Sequence, residues 1–226
     1  CKGKIQFWHA MGGDRITLIQ NTVNDFMKAN PDIEVTVQYV GSYEEILAKT
    51  VAALQAGTPP HIVQLNEIST KKMIDSGLIV PVEDLIKKDP TFDKSKLVSQ
   101  VRNYYSIGGK LYSMPWNSST PLLFYNKTMF KQAGLDPNKP PKTFSEVIQY
   151  SKKLLSKDSK GNITRTGITW NLYSWFFEEW MAEQNKLLVD NNNGRTGPVT
   201  KVVFNNDAGL KIFDFWNTLT KEGLMI

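Results

Sequence analysis

The sequence predicts an α/β protein, on three observations. Its first 85 residues alternate short apolar strands with amphipathic helices. Its 226 residues suffice for one large or two modest domains, each with a real core. Its composition, 41% hydrophobic and 22% charged, is that of an ordinary folded chain, and no apolar run approaches the ~18 residues of a membrane-spanning helix.

Residues 4–8 form the first expected strand, followed by Gly12-Gly13-Asp14, with Asp14 placed to cap a helix. That helix carries Ile16, Ile19, Val23 and Phe26 on one face and stops at Asn30-Pro31. Ile33, Val35, Val37 and Tyr39 then alternate with Glu34, Thr36 and Gln38, as a half-buried strand does. Ser42-Tyr43-Glu44-Glu45 is a capping box for a second helix that ends at Gly57. Residues 61–65 give a third strand, and a short helix closes at Gly77.

Residues 87–107 carry no clear pattern. Strands are expected at 110–115 and 122–125, on either side of Asn117-Ser118-Ser119-Thr120-Pro121. Thr143-Phe144-Ser145-Glu146 is a second capping box, residues 158–161 a turn, 190–197 a polar loop and 210–219 a helix. Residues 170–180 hold six aromatics; Tyr173, Phe176, Phe177 and Trp180 share a helical stripe that reads as core. Trp170 and Trp175 fall off that stripe and are expected on a stacking surface. Residues 221–226 read as a helix exit into another element, so the second half is expected to be truncated.

The net charge is +5, but only Arg15, Arg102, Arg165 and Arg195 are arginines, and the lysines are scattered singly or in pairs. Forked recognition of phosphate and guanine favours Arg, so nucleic acid is not an expected partner. Cys1 is the lone cysteine and excludes an internal disulfide. A mature N-terminal Cys is what bacterial lipoprotein processing leaves, so an extracytoplasmic protein, membrane-anchored through Cys1, is expected.

Catalysis has few candidates. There are two histidines, His9 and His61, no Gly-x-Ser-x-Gly, no metal-ligand spacing and no phosphate-cradling loop, so neither an enzyme, a metal nor a cofactor is expected. A glycosidase built from distant carboxylates stays open as a rival, as does an adhesive surface protein. Binding is better supported. Ligands of open α/β sheets sit beyond the carboxyl ends of the strands, where this sequence puts Trp8 and His9, Tyr43, and Asn66-Glu67. Rings cover the C–H faces of a polyhydroxylated ligand, and a carboxylate accepts from its hydroxyls.

The order Phe7-Trp8-His9, Gly41-Ser42-Tyr43-Glu44 and Thr58-Pro59-Pro60-His61-Ile62 resembles the family 1 extracellular solute-binding proteins of bacterial ABC importers. So do Gly77-Leu78-Ile79-Val80-Pro81-Val82, Pro115-Trp116-Asn117 and Tyr125-Asn126-Lys127. The resemblance is greatest to members that bind glycerol 3-phosphate. It implies a two-lobe, type II periplasmic-binding-protein-like fold, with residues 1–119 as the first α/β lobe. Residues 120–226 are then the hinge crossing and part of the second lobe. It implies that Tyr43, Glu67 and Ser119 bind the glycerol end, that Trp175 lies in the pocket wall, and that Trp170 substitutes where Leu172 replaces a family tryptophan. Trp8, His9 and Ser118 complete the expected site. The implied ligand is glycerol 3-phosphate, a glycerophosphodiester or, alternatively, an oligosaccharide. The implied partners are ABC permease subunits, and the protein is expected to be a monomer.

Overall fold

The computed structural model describes residues 3–171 and 173–225. The chain divides into two compact units between Ser118 and Ser119.

The first unit is built on a three-stranded parallel sheet in the order β2-β1-β3, with β1 at Gly3–His9, β2 at Ile33–Tyr39 and β3 at Ile62–Val63. Its register pairs Gly3 with Ile33 and His9 with Tyr39. In β2, Ile33, Val35 and Val37 are half-buried while Glu34, Thr36 and Gln38 are exposed, the alternation that the pleat demands. Parallel neighbours require crossovers, and α1 (Arg15–Ala29) and α2 (Tyr43–Gln55) supply them. Helix α1 buries Ile19 and Val23 but leaves Ile16 and Phe26 exposed, so its apolar stripe is narrower than the spacing suggests. Asp14 does not cap it: its backbone is already helical and its side chain makes no capping bond. The capping box of α2 is complete. Ser42 Oγ accepts from the Glu45 N–H, and the Glu45 carboxylate accepts from the Ser42 N–H.

The expected third strand shortens to two residues, Ile62–Val63, opposite Phe7 and Trp8 of the longer β1. Gln64 N–H donates to Trp8 O at 2.9 Å, and His9 O is taken by Val40 N–H at 3.0 Å. A 3-10 turn at Glu67–Ser69 leads into α3 (Thr70–Ser76), which ends on Gly77 at φ 66. Helix α4 (Val82–Ile86) follows, and the residues without a clear pattern fold into a 3-10 turn at Lys94–Lys96 and α5 (Ser99–Tyr104). A hairpin follows, β4 (Ser106–Ile107) against β5 (Lys110–Leu111), turning on Gly108 and Gly109, both at positive φ. Only residues 110–111 of the expected 110–115 strand pair this way, because α5 occupies the chain just before β4.

In the second unit no strand forms at residues 122–125; Leu122, Leu123 and Phe124 are exposed. Helix α6 (Lys127–Gln132) is capped by Asn126, and α7 (Phe144–Leu154) by the Thr143–Glu146 box. A hairpin, β6 (Ser156–Lys157) and β7 (Ile163–Arg165), surrounds the expected turn, whose Asp158 accepts from the Lys160 and Asn162 N–H groups. Helix α8 (Ser174–Glu183) and the helix Asp207–Lys221 carry the core. Met181, Ile212 and Leu219 are fully buried, and Phe144 stacks on Phe215 at 4.2 Å and 10°. The polar loop forms a left-handed turn in which Asn191, Asn192 and Asn193 have φ of 52°, 56° and 54°. Asn193 Oδ1 accepts from the Leu188 and Val189 N–H groups, and Asp190 accepts from Thr200.

Candidate functional site

The carboxyl ends of β1, β2 and β3 lie along one edge of the sheet because the three strands are parallel. Trp8 and His9 close β1 and part ways there, as neighbours on a strand must. Trp8 is half-buried, whereas His9 is only 1% exposed, with its ring 6.0 Å from Phe7 and 5.9 Å from Tyr39. His9 Nδ1 accepts from the Met11 N–H at 3.2 Å, and burial pushes the imidazole below its ordinary value. His9 is therefore a neutral support for the strand exit, and the expectation that it faces a ligand is corrected. Gln64 is also buried. Its Oε1 accepts from the Ala10 N–H at 3.0 Å and its Nε2 donates to Asn117 Oδ1 at 3.1 Å, fixing the loop after β1.

Tyr43 and Glu67 keep hydrogen-bonding capacity to spare. Tyr43 opens α2, is half-buried and, among the described residues, donates only to Met11 Sδ at 3.8 Å, a weak acceptor. Glu67 opens the 3-10 turn, is half-buried, and has neither a hydrogen bond nor an ion pair among the described residues. A carboxylate offers about four lone-pair sites, so Glu67 can accept from the hydroxyls of a ligand. Sequence reasoning missed Tyr105, which follows α5. Its phenol is held above the ordinary value first by burial and then by the charge of Glu67, with Tyr104 and Tyr43 adding to the effect. The only sign of it in the sequence is the doubled Tyr104-Tyr105 before the Gly-Gly turn. Ser118, at the end of this unit, is exposed.

In the second unit, Ser119 is exposed. Trp175 is half-buried in the first turn of α8, its ring 6.5 Å from Tyr173 at 83°. Trp170 does not belong to an exposed stacking surface. It lies parallel to Phe215 at 5.9 Å and 16°, edge-on to Trp180 at 6.1 Å, and its Nε1 is buried without a partner among the described residues. The correction has a simple cause: Phe215, far along the chain, supplies a flat partner that helical spacing around Trp170 cannot reveal. Tyr173, expected in the core stripe, precedes α8 and is 45% exposed. Trp170, Phe176, Trp180 and Glu179 line a trough of about 1290 Å³ in this unit. The Glu179 carboxyl is pushed up by burial and then by Glu183. Among the described residues, no group of three or more His, Cys, Asp or Glu side chains could hold a metal ion. Cys1 and Leu172 lie outside the described residues.

The family model of the bacterial extracellular solute-binding proteins matches residues 13–225. The chain belongs to that family. A sn-glycerol-3-phosphate-binding periplasmic protein UgpB of Shigella flexneri is 36% identical over 223 residues, covering 97% of this chain and 50% of its own length. Its namesake in Pectobacterium atrosepticum is 37% identical, with 49% of its length covered. The chain thus spans about half the length of the curated relatives it matches. Among solved structures, UgpB of Mycobacterium tuberculosis in complex with glycerophosphocholine superposes with a TM-score of 0.82 at 24% identity, over 100% of this chain and 55% of that one. Lmo0181 of Listeria monocytogenes in complex with cycloalternan gives 0.79 at 21%, over 100% and 55%. The fold of this solute-binding protein is that of the two-lobe periplasmic binders, of which it spans about half. Membership places it outside the cytoplasm. No helix among the described residues is long and apolar enough to cross a membrane.

Proposed function

We propose that the protein is the solute-binding component of an ABC importer and takes glycerol 3-phosphate or a glycerophosphodiester. The observation that carries this reading is the half-buried, unpartnered Glu67 at the strand-end edge that also holds Tyr43 and Trp8. A carboxylate only accepts, so it selects a ligand end rich in hydroxyls and repels a phosphate dianion at contact. Glycerol is such an end. The 36% identity to glycerol-3-phosphate-binding relatives supports the same class. The proposed ligand-binding groups are Trp8, Tyr43, Glu67, Ser118, Ser119 and Trp175. Permease subunits are the proposed partners, a lipid on Cys1 the proposed anchor, and a monomer the proposed state. The proposed domain limits are residues 1–119 and 120–226.

An oligosaccharide is the second reading, favoured by the fold likeness to the cycloalternan-bound Lmo0181. Titration calorimetry with glycerol 3-phosphate, glycerophosphocholine and maltotriose separates the two. Glycerophosphate binding is expected, and Glu67→Ala should weaken it about tenfold to a hundredfold, as loss of hydrogen bonds to a charged group does. Binding of maltotriose alone would overturn the ligand. Unchanged affinity in Glu67→Ala would remove Glu67 from the site.

A further inference from the structure

The second unit leaves a stretch of its backbone unpaired. Residues 121–125 lead into α6, and none of their N–H or C=O groups makes a backbone hydrogen bond among the described residues. The sequence there, Pro121-Leu122-Leu123-Phe124-Tyr125, is apolar throughout. Phe124 and Tyr125 are strand formers, and Pro121 stands where the first residue of a strand tolerates it. Yet Leu122 is 70% exposed, Leu123 49% and Phe124 88%. Tyr125 is tied down, its hydroxyl donating to Pro137 O at 3.1 Å and its ring 4.7 Å from Phe130.

These same residues line the trough of about 1290 Å³, together with Phe130, Phe144, Ile168, Phe176 and Phe215. That volume exceeds the roughly 300–1,000 Å³ of ordinary small-molecule pockets. Arg165, also in the lining, is already spent on the Leu154 carbonyl, to which its Nε and Nη2 donate at 3.2 and 3.0 Å. An apolar hollow of this size, bordered by unpaired backbone, suits polypeptide better than a small ligand. Polypeptide supplies apolar side chains for the hollow and N–H and C=O groups for the edge. The wall at Ile168 already pairs in this manner. Ile168 bridges Met225 in parallel, and the Gly167 and Ile168 N–H groups both donate to Leu224 O, at 2.9 and 3.2 Å.

We propose that residues 121–125 are the docking edge for an apolar β-strand from a part of the same polypeptide outside residues 1–226, whose side chains fill the trough. The occupant is argued from length. The UgpB relatives match 97% of this chain, yet only 50% and 49% of their own length is covered, so they carry about as much chain again. A second copy of the chain fits less well. A two-fold contact sets a patch against itself, and a hollow facing a hollow leaves both unfilled. The assignment rests on family membership and is independent of which ligand the protein takes.

Hydrogen exchange read by mass spectrometry, without ligand, on the complete product of the gene and on the 226-residue chain tests this. In the 226-residue chain the amides of Leu122 to Tyr125 should exchange as unstructured backbone does. In the complete product they should slow by about a hundredfold or more. Phe124→Asp should lower the melting temperature of the complete product by about 5 °C or more. In the 226-residue chain, where Phe124 is 88% exposed, the same change should cost less than about 1 °C. Unprotected amides in the complete product would overturn the proposal, as would a gene that stops after Ile226. Equal protection in both polypeptides would show that residues 3–225 pair the edge themselves, and protection that fades on dilution would assign it to a second copy; either refutes the assignment. Should the 226-residue chain fail to fold, the complete product decides alone, through its amide protection and its response to Phe124→Asp.

Discussion

Gly41→Ala probes the geometry that sets Tyr43 at the head of α2. Gly41 has a φ of 106°, a region that L side chains rarely adopt, and a methyl group built there would overlap the Glu45 carboxylate. That carboxylate accepts the Ser42 N–H at 2.6 Å, while Ser42 Oγ accepts the Glu45 N–H at 3.2 Å. Two penalties follow. Backbone strain of this kind costs about 1–3 kcal/mol, and a broken cap costs about 1 kcal/mol more. Urea unfolding should therefore show a loss of about 2–4 kcal/mol with an unchanged m value. The cause can be isolated by repeating the substitution in a Glu45→Ala background, where no carboxylate remains to be displaced. There the increment should shrink by about 1 kcal/mol, to the backbone part alone. The same increment in both backgrounds would refute the steric argument. A total below about 0.5 kcal/mol would refute the demand for positive φ as well.

Other perturbations test other parts of the molecule. Burial holds the His9 imidazole low, so below about pH 6.5 the unfolded chain takes up a proton that the folded one refuses, and stability should fall as pH drops. His9→Gln keeps an acceptor for the Met11 N–H and should flatten that limb of the pH–stability curve; an unchanged slope would show that another group is responsible. Ile212, fully buried, should cost about 2–5 kcal/mol when cut to Ala. Leu210, 54% exposed on the same helix, should cost well under half as much, so equal losses in chemical denaturation would contradict the packing described. Asn192→Gly in the left-handed turn should hold or raise the melting temperature, and Asn192→Val should lower stability by about 1–2 kcal/mol, since a β-branched residue resists that backbone. The reverse order would mean that the turn is not held as described.

What could be read from residues alone was whatever neighbouring positions decide. The alternation in β2 and the capping boxes at Ser42 and Thr143 are local patterns, and each forms as spaced except at the end of β2, where Tyr39 is exposed. Strand lengths were less legible, because they depend on pairing with distant segments: β3 keeps only Ile62–Val63 opposite Phe7 and Trp8, and β5 only Lys110–Leu111 opposite Ile107 and Ser106. The fate of Trp170 depended on Phe215 and that of His9 on a backbone N–H two residues on, neither visible in periodicity. Within the candidate site, Tyr43 and Glu67 stood at strand ends and could be picked out by position. Tyr105 comes from a stretch without pattern, and its burial shows only in the folded chain.

The strand nearest the N-terminus is the middle one of its sheet. No early hairpin can therefore shelter β1, whose hydrogen-bonding edges wait for Ile33–Tyr39 on one side and Ile62–Val63 on the other. At ordinary rates of translation, about 2–6 s separate the synthesis of β1 from that of β2. During that interval β1 has neither of its lateral partners and stays open. For a polypeptide that crosses a membrane as a thread, this order of assembly keeps β1 pliable until the crossover helix and second strand have followed it through. The same delay exposes two unpaired edges to other chains. Charged Lys4, which faces Glu34 once the sheet closes, sits on β1 where such a mispairing would begin.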